Sequence, residues 1–419
     1  MTLIRFLSIN SSTNFCNANN QGNSNNNNAS NTNGVVPDSS TNVQHDTCEN
    51  HLLEKEIETC GENPKYNHDV CCQEIAKSDY THDFDTVTDP YSLLLSYYKC
   101  RKGVTWKNSV QRYEQHLLRN ILDTSRKLKR GEIVTKGFKE FDINERGKQR
   151  HIKSVHISER VVQKSLCDNV LVPILTKPLA YDNGASQKGK GTFFTRKRLK
   201  VHLMRHFREC GNEGYIVLMD CKKYFDSISH DLLYNMLQGV LDERSMALAK
   251  QYIDAFGSKG LGLGSQTSQI ASVYFPYQID DYAKRTLRLK HYARYMDDSY
   301  CIVGTKKEAN DVLDHMIRKY WEFGLELNVK KTQVVKLSRG FTFLKCKYRI
   351  DSSTGRITMK PDKSGMIRMC RKMRKFKKNQ IPQDQVENAY KTWRGYWKKL
   401  GGNPRKTDFL YEALFGGVA

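Results

Sequence analysis

The stretch His291-Tyr-Ala-Arg-Tyr295-Met-Asp-Asp298-Ser-Tyr-Cys-Ile-Val303 decides the fold. Five residues with mostly strand-favouring side chains, a tight turn at Met296-Asp297-Asp298 and a second apolar run read as strand, turn, strand. The run Tyr215-Ile-Val-Leu-Met219 ends in the same manner, on Asp220. Both put carboxylates at strand ends or turns. A helix is expected after Ser229, and Thr305-Lys-Lys-Glu308 is a capping box that opens another, with Ala309, Val312, Leu313, Met316, Ile317 and Tyr320 on one face. Strand, helix, helix, hairpin, helix is an α+β order.

If these strands are neighbours in one sheet, Asp220, Asp297 and Asp298 converge, and three like charges need neutralising. A pair of divalent cations does this at least cost. Two Mg²⁺ ions can activate an attacking hydroxyl, orient a triphosphate and stabilise a leaving pyrophosphate, the two-metal route to nucleotidyl transfer. Without other evidence, an Asp-Asp pair is simply a turn.

The rest of the chain constrains the partner. Its 419 residues allow about two to four packing units. A net charge of +23 points to a polyanion. No stretch approaches the roughly 18 apolar residues of a membrane span, and Met1-Thr-Leu-Ile-Arg-Phe-Leu7 is too short and polar-flanked for a signal peptide, so an intracellular, cytoplasmic protein is expected. Residues 1–99 hold thirteen Asp/Glu against five Lys/Arg, so the basic function lies in the remainder, which carries +31. Asn supplies twelve of the 24 residues from Asn10 to Asn33, a tract expected to be disordered. The twelve cysteines form no C-x-x-C pair and are read as reduced thiols; His45, Cys48, His51, Cys60, His68 and Cys71 match no usual zinc spacing. From about Tyr91, Leu93, Leu94, Leu95, Tyr97 and Tyr98 begin a basic, helix-rich stretch that runs through Leu117, Leu118, Ile121 and Leu122, where folding should start.

Met219-Asp-Cys-Lys-Lys-Tyr-Phe-Asp-Ser-Ile228, followed by Tyr295-Met-Asp-Asp298, resembles motifs A and C of reverse transcriptases. Further motifs occur in order. Lys148-Gln-Arg150-His-Ile152 with Glu159-Arg-Val-Val-Gln163 resembles the fingers motif, and Ala185-Ser-Gln-Lys-Gly-Lys-Gly-Thr192 the segment after it. Gly264-Ser-Gln-Thr-Ser-Gln269 resembles motif B, Leu325-Glu-Leu-Asn-Val-Lys-Lys-Thr332 motif D, and Phe341-Thr-Phe-Leu344 the primer grip. The resemblance covers roughly residues 91–400. It is nearest to bacterial enzymes related to group II intron reverse transcriptases, and the Ser268-Gln269 ending of motif B is similar to that of diversity-generating retroelements and defence-associated enzymes. Two residues depart from the pattern: Pro276 should kink the helix after motif B, and Lys345 stands where the family commonly has Gly.

The resemblance implies a right-hand polymerase of α+β class, with helical fingers (89–214), an antiparallel-sheet palm (215–350) and a short basic helical thumb (351–419), after an acidic, largely disordered extension (1–88). Asp220 and Asp297 become the bridging metal ligands for two Mg²⁺, with Mn²⁺ as substitute, and Asp298 a partial or more distant ligand. Phe225 resembles the steric gate against a ribose 2′-hydroxyl. Lys148 and Arg150 clamp the triphosphate, Gln269 contacts the nascent base pair or template, and Lys331 assists the leaving pyrophosphate. Asp226 is read as a turn or cap residue.

Between Arg356 and Asp408 there are sixteen Lys/Arg and four Asp/Glu. Arg368, Arg371, Lys372, Lys375 and Lys378 fall on one broad helical face suited to phosphates. Trp393, Tyr396 and Trp397 either stack on bases or pack the thumb. The partners implied are an RNA template, of the dedicated non-coding kind, dNTPs and the cDNA product, with an accessory protein or a homo-oligomer left open and no membrane. Anti-phage defence and diversity generation are the two roles considered, with defence preferred because of the unusual tail. The other readings are an RNA-dependent RNA polymerase, which Phe225 and the Tyr-Met-Asp-Asp form oppose, and a silent RNA-binding scaffold, which the intact carboxylates oppose. A phosphate-binding loop at Gly184–Lys190 fails because Gly191 stands where a Ser/Thr hydroxyl is needed.

Overall fold

The computed structural model describes residues 82–145 and 148–416. The Asn-rich tract and the His/Cys group from His45 to Cys71 lie outside the described residues. Helices α1 (Phe84–Thr88), α2 (Pro90–Arg101), α3 (Asn108–Gln115) and α4 (Leu117–Lys129) come first. Asp83 and Asp89 start the first two by accepting hydrogen bonds from the N–H groups of Thr86 and Ser92, at 3.0 and 2.8 Å. Phe84, Val87 and Thr88 are buried. Packing therefore begins a few residues before the expected boundary at 88, because the first Asp cap lies inside the acidic stretch.

A hairpin of β1 (Phe138–Glu145) and β2 (Lys148–Val155) follows, then α5 (Ile157–Leu166), α6 (Val172–Leu175) and the long α7 (Thr192–Cys210). Strand β3 (Tyr215–Asp220) leads into the short α8 (Tyr224–Ser227), α9 (His230–Leu237), α10 (Glu243–Asp254), α11 (Gln266–Tyr274) and α12 (Tyr277–Asp281). Pro276 ends the first of the last two helices and caps the second, the break expected of a residue without an N–H. The hairpin β4 (His291–Tyr295) and β5 (Asp298–Val303), helix α13 (Lys306–Glu322) and β6 (Gln333–Lys336) complete a four-stranded antiparallel sheet ordered β4-β5-β3-β6. This is the α+β, antiparallel arrangement expected. At the start of α13 Thr305 accepts from the Glu308 N–H at 3.1 Å, while the Glu308 carboxylate reaches one residue further back than a capping box predicts, to the Gly304 N–H.

Both sheet faces are covered, so the strands are continuous apolar runs rather than alternating ones. Val217, Met219, Tyr292, Cys301 and Val303 join the larger core with Ala309, Val312, Met316 and Tyr320 of α13. Ile216, Leu218, Ala293, Tyr300 and Ile302 pack instead with Leu199 and Leu203 of α7 and with Phe341, Phe343 and Tyr348. Those last three belong to a second sheet of β7 (Phe341–Phe343), β8 (Cys346–Ile350) and β9 (Ile357–Pro361).

Helices α14 (Ser364–Lys377), α15 (Gln383–Lys399) and α16 (Arg405–Phe415) end the described chain around their own core of Met369, Met373, Val386, Tyr390, Trp393 and Trp397. Trp393 and Trp397 thus pack rather than face outward. Among the described residues no helix is long and apolar enough to cross a membrane.

Candidate active site

Antiparallel pairing places Asp220, the last residue of β3, directly opposite Asp298, the first of β5. Their positions share parity with Leu218 and Tyr300, so both carboxylates lie on the sheet face toward the second sheet. Asp297 occupies the turn just before, after Met296 in a left-handed conformation at φ 56°. The three acids predicted from sequence are therefore brought together. Burial, and then the charges of Asp297 and Asp220, push the Asp298 carboxyl up, with Lys331 opposing.

Lys331 is the counter-charge. Its ammonium donates to both oxygens of Asp220, at 2.7 and 2.8 Å. Burial works against the charged form of Lys331, but that bond and the nearby carboxylates outweigh it and its pKa is raised. The donor set is three hard carboxylates against the one ammonium of Lys331, an excess of negative charge that suits a divalent cation. Among the described residues, no three His, Cys, Asp or Glu side chains are already arranged as a metal cage.

The turn is braced from beneath. Arg294 of β4, fully buried, donates Nη1 to the Met296 carbonyl at 3.1 Å and Nη2 to the Val273 carbonyl at 3.0 Å. Asp280 of α12 compensates its charge, at 2.7 Å from Nη2, and also accepts from the Tyr292 hydroxyl at 2.7 Å. Sequence reading missed this pair. Its signal was an Arg inside an apolar strand, a residue that enters a core only with a partner.

Phe225 sits half-buried on α8 against Tyr224, with ring centroids 5.7 Å apart. The Tyr224 hydroxyl donates to the Ser272 carbonyl of α11, and the Leu261 N–H donates to the Phe225 carbonyl at 2.8 Å. Asp226 is exposed in the same turn, while Ser229 itself caps α9. Gln269 of α11 donates Nε2 to Ser186 at 2.6 Å, joining two of the predicted motifs. Gln163 joins a third by accepting from Ser265, the cap of α11, at 3.2 Å. Lys148 and Arg150 lie on β2, and their side chains are outside the described residues.

A cleft of about 530 Å³ runs from Asp220 and Asp298 to Phe343 and Leu344, with Lys330, Lys331, Arg339 and Lys347 along it. Leu344 and Lys345 make the β7–β8 turn with φ of 44° and 63°, left-handed values that suit Asn-Gly far better. Arg196 of α7 fixes this turn, donating to the Leu344 carbonyl at 2.6 Å and to the Tyr396 hydroxyl of α15 at 3.1 Å. On α14, Arg368, Arg371 and Lys375 are exposed. Lys378 caps the helix, and Lys372 is half-buried with its ammonium on the Gln385 carbonyl at 3.1 Å, so it belongs partly to the bundle.

Residues 137–348, just over half of the chain, match the family described as Reverse transcriptase (RNA-dependent DNA polymerase). Among solved structures, similarity is found to apo telomerase from Candida tropicalis truncated from its C-terminal domain, at 14% identity and TM-score 0.42, covering 53% of this chain and 54% of that one. Telomerase from Candida albicans in complex with a TWJ fragment of telomeric RNA gives 12% identity and TM-score 0.42, covering 54% of this chain and 46% of that one. Apo telomerase from Candida tropicalis gives 14% identity and TM-score 0.40, covering 58% and 53%. The chain spans about half the length of these structures. No curated protein matches it.

Proposed function

As the chain belongs to the reverse transcriptase family, we propose that it is an RNA-directed DNA polymerase that extends a primer with dNTPs on an RNA template at Asp220, Asp297 and Asp298. The family's right-hand polymerase fold is built on the antiparallel sheet that carries these acids. The observation that supports the reading most is the rung shared by Asp220 and Asp298, with Asp297 one residue away in a braced turn.

Reverse transcriptases use divalent metal ions, and here the three carboxylates would hold them, two Mg²⁺ on our reading, with Mn²⁺ as substitute. Such ions supply Lewis acidity toward the triphosphate and the attacking hydroxyl. The chain's own residues do the rest. Lys331, already beside Asp220, neutralises the site before substrate arrives and turns to the leaving pyrophosphate afterwards, as charge or proton donor. Phe225 fills the space a ribose 2′-hydroxyl needs. Gln269 and Ser186 line the nascent base pair, and Lys148 and Arg150 on the β1–β2 hairpin hold the triphosphate. Arg368, Arg371, Lys375 and Lys378, with Lys372 in part, take phosphates of the product duplex.

We assign fingers to 89–214 with the helix from Phe84 added, palm to 215–350, thumb to 351–419 and an acidic extension before them. The template is a dedicated non-coding RNA, and the setting is the cytoplasm of a bacterium, in anti-phage defence. The unusual acidic, Asn-rich extension supports that role; the Ser268-Gln269 form of motif B is equally compatible with diversity generation. The activity test is extension of a DNA primer on an RNA template with dNTPs against rNTPs, and no dNTP incorporation under any divalent ion would overturn the proposal. Sequencing RNA and cDNA that copurify with the protein tests the biological role.

A further inference from the structure

Helix α2 turns three of its apolar residues outward. Leu93 and Tyr97 are buried, whereas Tyr91, Leu95 and Tyr98 are 67, 42 and 46% exposed. Positions 91, 95, 98 and 102 form one stripe along the helix, ending at the exposed Lys102. The loop beyond presents Trp106, 71% exposed, with the Lys107 ammonium 5.5 Å from its ring centroid. The Arg101 guanidinium lies 5.7 Å from the Tyr98 ring.

Charge says what such a face receives. From 90 to 130 there are ten Lys/Arg and two Asp/Glu, while just before them Asp83 and Asp89 serve as helix caps and Asp85 pairs with Arg244. Both acids of that stretch are already paired, Glu114 with Arg101 and Asp123 with Arg126 and Arg119. Of the other cations, Lys99 is held by Asp168 at 2.7 Å and Arg130 by Glu132 at 3.7 Å. An apolar protein partner would be repelled by nothing here but would leave this positive field uncompensated. An acidic membrane would meet it, yet on α2 and the loop beyond it three of the four exposed apolar groups are aromatic, the exposed aliphatic Leu118 and Leu122 lying on α4 instead. Flat rings interleaved with cations match successive bases on a phosphate chain.

We propose that the outward face of α2 and the loop through Lys107 is a binding surface for single-stranded RNA, with Tyr98 and Trp106 stacking on bases and Lys102 and Lys107 on the phosphates between them. This lies outside the carboxylate cleft and the basic bundle already described. It holds a stretch of RNA that is not being copied, and so goes beyond the proposed polymerase chemistry.

The experiment uses the full chain with its cleft filled by an excess of unlabelled primer–template duplex. Fluorescence anisotropy then follows a labelled oligouridylate of about 16 nucleotides, the upper range of one single-strand site. Tyr98→Ala with Trp106→Ala should raise the Kd roughly thirtyfold or more, on the order of two lost stacking contacts. Trp106→Phe, which keeps a ring, should recover much of the affinity. Lys102→Gln with Lys107→Gln should flatten the salt dependence by about 1.4 in log–log slope. Primer extension on a short duplex should not change in any of these variants. Unchanged oligouridylate affinity in a folded double-Ala variant overturns the proposal. So does a change confined to anionic vesicle binding or to self-association, or an equal loss of primer extension, which would merge this face with the cleft. Because the binding assay does not depend on polymerisation, it can fail or succeed independently of the polymerase reading.

Discussion

Arg294 grips Asp280 with two prongs, Nε at 2.8 Å from Oδ1 and Nη2 at 2.7 Å from Oδ2, beneath the turn that presents Asp297. Burial opposes the charge on the guanidinium, and Asp280 more than restores it. Removing one partner strands the other in the core. Arg294→Met alone, or Asp280→Asn alone, should cost about 3–5 kcal/mol in urea unfolding, whereas the combined replacement should cost less than either. Additive losses would show that the two do not act as a unit.

Asp297→Ala with Asp298→Ala should abolish Mg²⁺-dependent dNTP incorporation. RNA affinity should stay near wild type, since the exposed cations of α14 are untouched. Wild-type extension by this variant would remove the carboxylates from the proposed chemistry.

Sugar selection tests Phe225. The ratio of kcat/KM for dGTP over GTP on one RNA template should exceed one in the wild type. Phe225→Ala should lower it at least tenfold, about 1.4 kcal/mol. Gly260 gives a second lever, because at φ 84° a Cβ there would stand 3.0 Å from the Asp226 Cα and 3.1 Å from the Phe225 carbonyl oxygen. Gly260→Ala should shift the Phe225 turn and lower the same ratio with the ring intact. A wild-type ratio below one would indicate an RNA polymerase instead.

His291 predicts an acid sensitivity. It is buried at the start of β4 with no hydrogen-bond partner on either ring nitrogen among the described residues, and it faces His202, Arg205, His206 and Glu209 of α7. Burial first, then the neighbouring cationic groups, lower its pKa to about 4, against the partial opposition of Glu209. Between the ordinary value of 6.5 and about 4 the unfolded chain binds more protons than the folded one. Stability is therefore full above the upper value and falls as pH drops through that window. His291→Phe should flatten the urea midpoint against pH there; an unaltered slope would place the acid sensitivity elsewhere.

The β7–β8 turn holds two side chains where left-handed backbone is required. Lys345→Gly should raise stability by about 1 kcal/mol, read as a higher unfolding midpoint. A lower midpoint would mean that contacts of the Lys345 side chain outweigh the strain.

The strands and their acids were legible because buried strands leave uninterrupted apolar runs, and the Asp residues punctuate them. Pro276 likewise announced its own break. What could not be read was which cation meets which anion. Lys331 lies 111 residues from Asp220, and Arg294 reaches across 14 residues to Asp280 of α12. Composition left open whether Trp393 and Trp397 face in or out, and burial in the bundle answers that. The outward face of α2 was hidden for the opposite reason, since Leu95 and Tyr98 look like core in a helical stretch.

The shared rung of Asp220 and Asp298 also divides the chain into parts that can and cannot change length. Deleting or inserting one residue within β3 or β5 would turn one acid to the opposite sheet face, a loss no side-chain repair reverses. The short loop between α9 and α10 holds none of the residues assigned to the site and carries no such restriction. Lineages of this chain are therefore expected to change length there while β3 and β5 keep their residue count.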